Sequence, residues 1–411
     1  MEEFTGENLG SMGSIGSGVR IKAIGVGGGG GNMINFLVNT GIHGVDLMVA
    51  NTDAQALEAS SSPYKIQLGV QATKGLGAGM KPEVGAASAD ESFESIKTML
   101  SGADLVFIST GLGGGTGTGA SPVIARAAKE LGALTVSIAT TPFRFEGKKR
   151  RRLAEKGLQE LRAESDSIIL VSNENLLNLA DKNLGMRDSF KLVDSVLSSA
   201  ISGISSLITS HNESDINLDF ADVKTVMSHK GLALMGVGVG SGSDSATEAA
   251  KSALSSPILN DIDISGAMGI IVHFKINPNY PLSNISTAMD LIEGNGDEDA
   301  DVIFGTSADE SLAIDEVQIT LIATGFESEE DIEKARENQE KEALGKQEAH
   351  QEVNKTFSEQ IAIDEFQKEE PTHKTLFGGR ANPIINGQTN NFSQKEQSGR
   401  QHNPSYLKNK Y

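Results

Sequence analysis

The sequence predicts an α/β protein: a doubly wound, mostly parallel sheet, a long central helix, a second smaller α/β unit with a mixed sheet, and a tail that does not pack. Three observations predict it. Apolar, β-branched runs alternate with helix-periodic stretches from residue 19 to about residue 173, the pattern of parallel strands with helices between them. Two glycine-rich stretches, at 25–32 and 111–119, each join a predicted strand to a predicted helix. From residue 327 the composition turns to Glu, Lys, Gln, Asn and Ser with few large apolar residues, too little to bury for a packed fold.

Taken in order, residues 1–18 are largely Gly, Ser and Glu and are expected to form a disordered arm. Strands are expected at 19–24, 45–50, 64–68, 105–109, 134–139 and 168–171, with helices at 33–39, 91–100, 120–131 and 149–163. Residues 19–187 form the expected ligand-binding domain. Phe190, Val193, Leu197, Ile201, Ile204 and Ile208 recur at helical spacing, so 188–210 reads as one amphipathic helix, a spine between two domains. The second domain, 211–326, carries expected helices at 220–229, 245–254 and 283–293 and strands at 232–238, 269–276, 301–306 and 316–324. Residues 327–403 read as a disordered tether, and 404–411 regain aromatic and basic residues, as a docking peptide does.

The glycine stretches carry the chemistry. Without Cβ atoms, successive backbone N–H groups can turn toward one point, and the helix behind adds its positive dipole end, so the natural guest is a phosphate. Gly25, Gly27 and Gly30 alone spell GxGxxG, the dinucleotide fingerprint, with Asp46 near the expected ribose acid. The run 111–119 adds a second cradle in the same sheet, so one can hold the distal phosphates while the other holds the proximal ones.

Composition removes other classes. The chain has 411 residues, 35 Lys and Arg against 55 Asp and Glu, and a net charge of −20, which opposes binding to a nucleic-acid backbone. There is no Cys, hence no disulfide, thiolate metal site or cysteine nucleophile. The seven His form no HxH or HExxH pair, and no metal ligand set is expected from protein side chains. No run was expected to span a membrane and the N-terminus lacks an export pattern, so the expectation is a soluble, cytoplasmic protein.

Residues 113–119 read GGGTGTG, similar to the tubulin signature, and 217–222 read Asn-Leu-Asp-Phe-Ala-Asp, which resembles the NxDxxD loop opening the second domain of bacterial tubulin homologues. With Gly25 to Asn32, the stretch 50–57, the run 75–79 and Pro142 to Arg150, six motifs in order resemble the tubulin/FtsZ family across about 20–325. The resemblance implies a tubulin-like fold and a GTP-hydrolysing protein that polymerises head to tail into filaments of the division ring. It implies GTP or GDP with Mg²⁺ held mainly by the phosphates, and a site at midcell. It further implies phosphate contacts from Gly28, Gly29, Gly30, Gly31, Asn32, Gly115, Thr116 and Gly117, a ribose contact from Glu146, and a phosphate or ribose contact from Arg150. Asn173 and Asp194 would take the guanine, with Phe190 against the base plane. A carboxylate at Asp194 suits that role, because it accepts from both N1–H and the exocyclic amine of guanine.

Asp219 and Asp222, spaced i, i+3 at a helix start beside Asn217, are the candidate catalytic acids. One Asp could simply cap the helix; two acids can orient a water for attack on a γ-phosphate, which by the resemblance belongs to the neighbouring subunit. The expected partners are further copies of the chain and, through the C-terminal peptide, membrane-tether and ring-regulator proteins, without nucleic acid or direct membrane insertion. Segment 210–216 is longer and more acidic than the family's usual connection. The alternatives are an NAD-dependent Rossmann oxidoreductase, which leaves GGGTGTG and the paired acids without a role, and a tubulin-like filament for DNA segregation.

Overall fold

The computed structural model describes residues 18–175, 185–209, 215–256, 264 and 267–326, all within the first of two compact units, Met1–Lys334. Residues 1–17 of the expected arm, the tether, the docking peptide and residues 210–214 of the acidic connection lie outside the described residues.

Six strands run parallel in the order β3-β2-β1-β4-β5-β6: β1 (Ile21–Val26), β2 (Val45–Asn51), β3 (Tyr64–Gln67), β4 (Leu105–Gly111), β5 (Leu134–Thr141) and β6 (Ser167–Ser172). Alternate side chains leave the two faces of this sheet, so each strand must be apolar on both. On one face Ile21, Ala23, Leu105, Phe107, Val136 and Ile138 pack with Met33 and Leu37 of α1 (Gly27–Thr40). On the other, Ile24, Val26, Val106 and Ile108 pack with α5 (Phe93–Leu100), α6 (Thr116–Glu130) and α7 (Lys148–Glu164). Shorter helices α2 (Ala54–Ala59), α3 (Val70–Thr73) and α4 (Pro82–Glu91) fill the connections.

The long helix, α8 (Met186–Thr209), joins the two halves through a shared core. Val193, Leu197, Ile201, Ile204 and Leu207 are buried in one cluster with Phe107 and Val136 of the parallel strands and with Met235, Ile271 and Ile322 beyond them. By length and hydropathy α8 could cross a membrane, contrary to the expectation that no run qualifies, but 61% of that stretch is buried inside the fold. Its apolarity is therefore that of a core spine.

Next come α9 (Phe220–Met227), β7 (Leu232–Ser241), α10 (Ser245–Leu254), β8 (Gly269–Ile276), α11 (Leu282–Glu293), β9 (Asp301–Ala308) and β10 (Glu316–Phe326). The second sheet is mixed: β10 is antiparallel to β7 and β8, and β9 is parallel to β8. It is also continuous with the first, because β7 pairs with β6 in parallel, giving one ten-stranded sheet. That seam rests on only two register pairs, Ile168 with Leu232 and Ile169 with Ala233.

Three expectations need correction. Both glycine runs enter the helices that follow: α1 starts at Gly27 and α6 at Thr116, where helices from 33 and 120 were expected. The expected helix 91–100 is α5, which starts two residues later at Phe93, and α4, which ends at Glu91, was not expected. Its small residues pack closely on α6 in place of forming a large apolar stripe, with a Cβ at Gly119 falling 1.9 Å from the carbonyl oxygen of Pro82.

Candidate nucleotide site

The strand order reverses between β1 and β4, and in open α/β sheets ligands sit at the carboxyl ends of the strands at such a switch point. Both glycine runs emerge there. In α1 the N–H groups of Gly27, Gly28 and Gly29 precede the first intrahelical bond; in α6 those of Thr116, Gly117 and Thr118 do, since Gly119 is the first to donate back, to Gly115. Neither helix has a side-chain cap or an acid in its first turn, so among the described residues no side chain claims these donors. Gly31 and Asn32 lie in the second turn of α1, where the helix takes their N–H groups; the exposed Asn32 side chain and the open side of Gly31 remain available.

The two helix ends touch. A Cβ on Gly27 would lie 2.8 Å from Gly117 N, and one on Gly29 would lie 3.2 Å from Gly111 Cα. Gly30 and Gly25 are required by packing, with Cβ positions 2.1 Å from the Ser109 carbonyl and 2.2 Å from that of Gly30. Gly28, Gly31 and Gly114 face open space. The glycines thus divide into those that let backbones meet and those that keep a cradle clear. Beneath the loops Thr110 Oγ1 is buried without a partner, 2.7 Å from where a Gly117 Cβ would be. Thr116 Oγ1 lies 2.6 Å from Thr52 Oγ1 and ties the signature to the end of β2.

The same edge gathers the other nucleotide candidates. Phe143, after β5, packs edge-on against Phe190 at the start of α8, with centroids 5.6 Å apart, and stacks on Phe145 at 4.9 Å. Asp194 follows Phe190 by about one helical turn. Burial alone raises its pKa from 3.8 to about 6, the sign of a carboxylate held away from water with no cation to compensate. Asn173, directly after β6, is buried, and its Oδ1 has no hydrogen-bond partner. Glu146 accepts from the Phe143 N–H at 2.9 Å and is ion-paired with Arg150, whose Nε is buried without a partner. Native interiors rarely leave buried polar atoms unpaired. Three orphans, on Thr110, Asn173 and Arg150, flank one cradle and suit a polar guest that brings donors and acceptors.

The candidate acids lie elsewhere. Asp219 caps α9, its Oδ1 accepting from Ala221 N–H at 3.1 Å, so the capping role applies to it. Asp222 is in the first turn, and both acids and Asn217 are exposed. Their loop is anchored near the end of α8 by Leu218 N–H donating to the Leu207 carbonyl. Leu207 is 17 residues beyond Phe190, about 25 Å along a helix. Among the described residues no group of three or more His, Asp or Glu is placed to hold a metal ion.

The dinucleotide alternative shares this strand order, so topology does not dismiss it. Asp46 does: it is the second residue of β2, five residues from the carboxyl edge, or about 16 Å, and cannot serve a ribose there. Sequence reasoning did not single out Thr52, Thr110 or Phe143. Only Phe143 and Thr52 lie within motifs that had been noticed, and hydroxyls at strand ends carry no local pattern.

Comparison with known proteins agrees. Residues 20–181 match the GTPase domain of the tubulin/FtsZ family, and 231–327 match the C-terminal domain of the FtsZ family. An FtsZ dimer from M. jannaschii is similar at 40% identity over 76% of this chain and 90% of that one, with a TM-score of 0.72. A single-substitution mutant of FtsZ from M. jannaschii is similar at 40% over 75% and 91%, with a TM-score of 0.71. A GTPγS-bound CetZ2 protofilament from Haloferax volcanii shares the fold at 21% identity, over 80% of this chain and all of that one, with a TM-score of 0.65. With both domains matched in order and the cradle in place, the chain belongs to the tubulin/FtsZ family, in its FtsZ branch, and is a GTPase.

Proposed function

We propose that this GTPase polymerises head to tail and that each active site is completed by the next subunit. The observation that carries this reading is the separation between cradle and acids: Asp219 and Asp222 are tied to the far end of α8 from Phe190, too distant to reach a nucleotide on their own chain. A second copy stacked in the same orientation would bring its acids over the cradle, and such a heterologous contact propagates as a filament. The dimer of the M. jannaschii relative supports self-association.

In this scheme the free N–H groups of Gly28, Gly29, Thr116 and Gly117, with that of the N-cap Gly115, hold phosphate oxygens, assisted by both helix dipoles. Glu146 and Arg150 exchange part of their mutual pairing for the ribose and phosphate edge. Asn173 and ionised Asp194 read guanine, and Phe190 flanks the base. Mg²⁺, carried by the phosphates, would supply charge neutralisation. Asp222 and Asp219 of the neighbour, with Asn217, orient the water that attacks the γ-phosphorus in line, and departure of phosphate removes the contacts that hold the interface.

The domain limits at 187/188, 210/211 and 326/327 follow from this division of labour. Assembly into a midcell division ring, with tether and regulator proteins docking on 404–411, is the cellular role this reading assigns. Asp222→Ala tests it: the variant should bind GTP and assemble while its turnover falls at least about a hundredfold. Loss of GTP binding in that variant would overturn the assignment.

A further inference from the structure

The seam between β6 and β7 opens into a charged cleft at the amino ends of the two strands. This cavity of about 260 Å³ is lined by Lys129, Arg162 and Asp166 from the parallel half of the sheet and by Ser228, Lys230 and Gly231 from the other half. Three cations therefore meet one carboxylate, and Asp166 already accepts from the Thr135 N–H at 2.8 Å. Lys129 and Arg162 lie in the last turns of α6 and α7, where a helix dipole favours positive charge. Lys230 has no such reason, since it belongs to the connection from α9 to β7. The side chains of Lys129 and Lys230 engage no partner among the described residues, and their like charges face each other across a seam of only two register pairs.

The chain supplies the opposite charge at the same point. β10 ends at Phe326, in register with Leu232, and a Cβ on Gly231 would lie 2.7 Å from the Phe326 carbonyl oxygen. Glu327 thus follows directly on the wall of the cleft. Residues 327–333 read Glu-Ser-Glu-Glu-Asp-Ile-Glu, five acids with no cation, and they precede the limit of the first compact unit at Lys334. Seven residues span at most about 25 Å, enough to cross the cleft from end to end. The cavity is smaller than the pocket of a drug-sized ligand, yet it admits acidic side chains. Exposed ion pairs are individually weak; here several would form together, and a link of one residue holds the acids at an effective concentration of about the millimolar range or above.

We propose that carboxylates of residues 327–333 occupy this cleft, pairing with Lys129 and Arg162 on one side and with Lys230 on the other, so that the segment straps the two halves of the sheet across their seam. The strap neutralises the facing cations. It also fixes the start of the C-terminal tail at the end of the sheet opposite the glycine cradles, and no nucleotide is required for it.

Two measurements on the full chain, dilute and without nucleotide, test the strap. The first is thermal unfolding of Lys230→Gln, of a neutralised segment (Glu327→Gln, Glu329→Gln, Glu330→Gln and Asp331→Asn together), and of the two combined. In the unchanged chain Lys230→Gln should lower the melting temperature by about 2 °C. In the neutralised chain the same substitution should raise it, because only repulsion among the cations is then left to relieve. Equal effects of Lys230→Gln in the two backgrounds overturn the proposal. The second is the distance between spin labels at Ala163→Cys, on the cleft wall, and Ile332→Cys; the chain has no other cysteine and neither change removes a charge. One short distance is expected at low ionic strength, lengthening and broadening in 1 M salt, where the screening length is about 3 Å. A distance indifferent to salt overturns the strap, and a short distance that disappears on dilution with unlabelled chain places the segment on a neighbouring copy, which overturns it equally. If inorganic phosphate raises the melting temperature of the unchanged chain as much as that of the neutralised one, the cleft is a general anion site that the segment does not fill, and the proposal falls.

Discussion

The Leu218 N–H donates to the Leu207 carbonyl at 2.9 Å, and this bond fixes the loop of Asn217 and Asp219 to the end of α8 remote from Phe190. A chain built this way carries two half-sites facing opposite directions. Mixing two defective variants should therefore restore activity. Asp222→Ala keeps its cradle and lacks an acid; a cradle variant keeps its acids. Together they should hydrolyse GTP faster than either alone, measured as phosphate release. If the mixture does no better than the sum of its parts, the acids do not act in trans.

The glycines should separate by geometry. Gly28→Ala meets no atom within 4 Å and replaces a helical glycine, so the free protein should gain up to about 1 kcal/mol. Its methyl group intrudes on the cradle, and GTP affinity should fall about tenfold or more. Gly30→Ala would drive a Cβ to 2.1 Å from the Ser109 carbonyl and should lower the melting temperature markedly. Calorimetry and nucleotide titration of both variants check the pair; equal melting temperatures would contradict it.

Much of this was legible in the sequence. The two glycine runs stood out because each joined a β-branched strand to a helix, and Asp219 with Asp222 stood out by spacing. Their geometry was less legible. Glycine disfavours helix, so the first turns of α1 and α6 read as loops; what holds them helical is tertiary contact, such as Gly27 against Gly117. α4 lacked an apolar stripe because it packs on α6 through small residues such as Gly85. The β6–β7 seam joins residues about sixty positions apart and leaves no local trace. Asp194 was assigned through family resemblance alone; its burial independently marks it as unusual.

Burial holds Asp194 near pKa 6, and guanine N1–H needs the ionised form as acceptor. GTP binding should then weaken as pH falls through about 6, and binding near that pH should release about half a proton. Titration calorimetry in buffers of different ionisation enthalpy reads the proton directly. No proton release at pH 6 would mean that Asp194 does not contact the base.

The same shift has a stability consequence. The folded pKa of about 6 exceeds the unfolded 3.8, so between those values the folded state binds more protons. Stability falls as pH rises through that window, and the loss is complete above it. Asp194→Asn removes the buried charge, so the nucleotide-free variant should melt higher than the unchanged protein at pH 7.5 while binding GTP more weakly. A lower melting temperature in the variant would show the carboxylate to be stabilising.

The most direct measurement is GTP turnover per molecule across a dilution series in Mg²⁺. If each site needs a neighbour's Asp219 and Asp222, turnover per molecule should fall toward zero on dilution, while bound GTP per molecule stays constant at saturating nucleotide. Turnover that is independent of concentration would mean that one chain holds a complete site, contradicting the account.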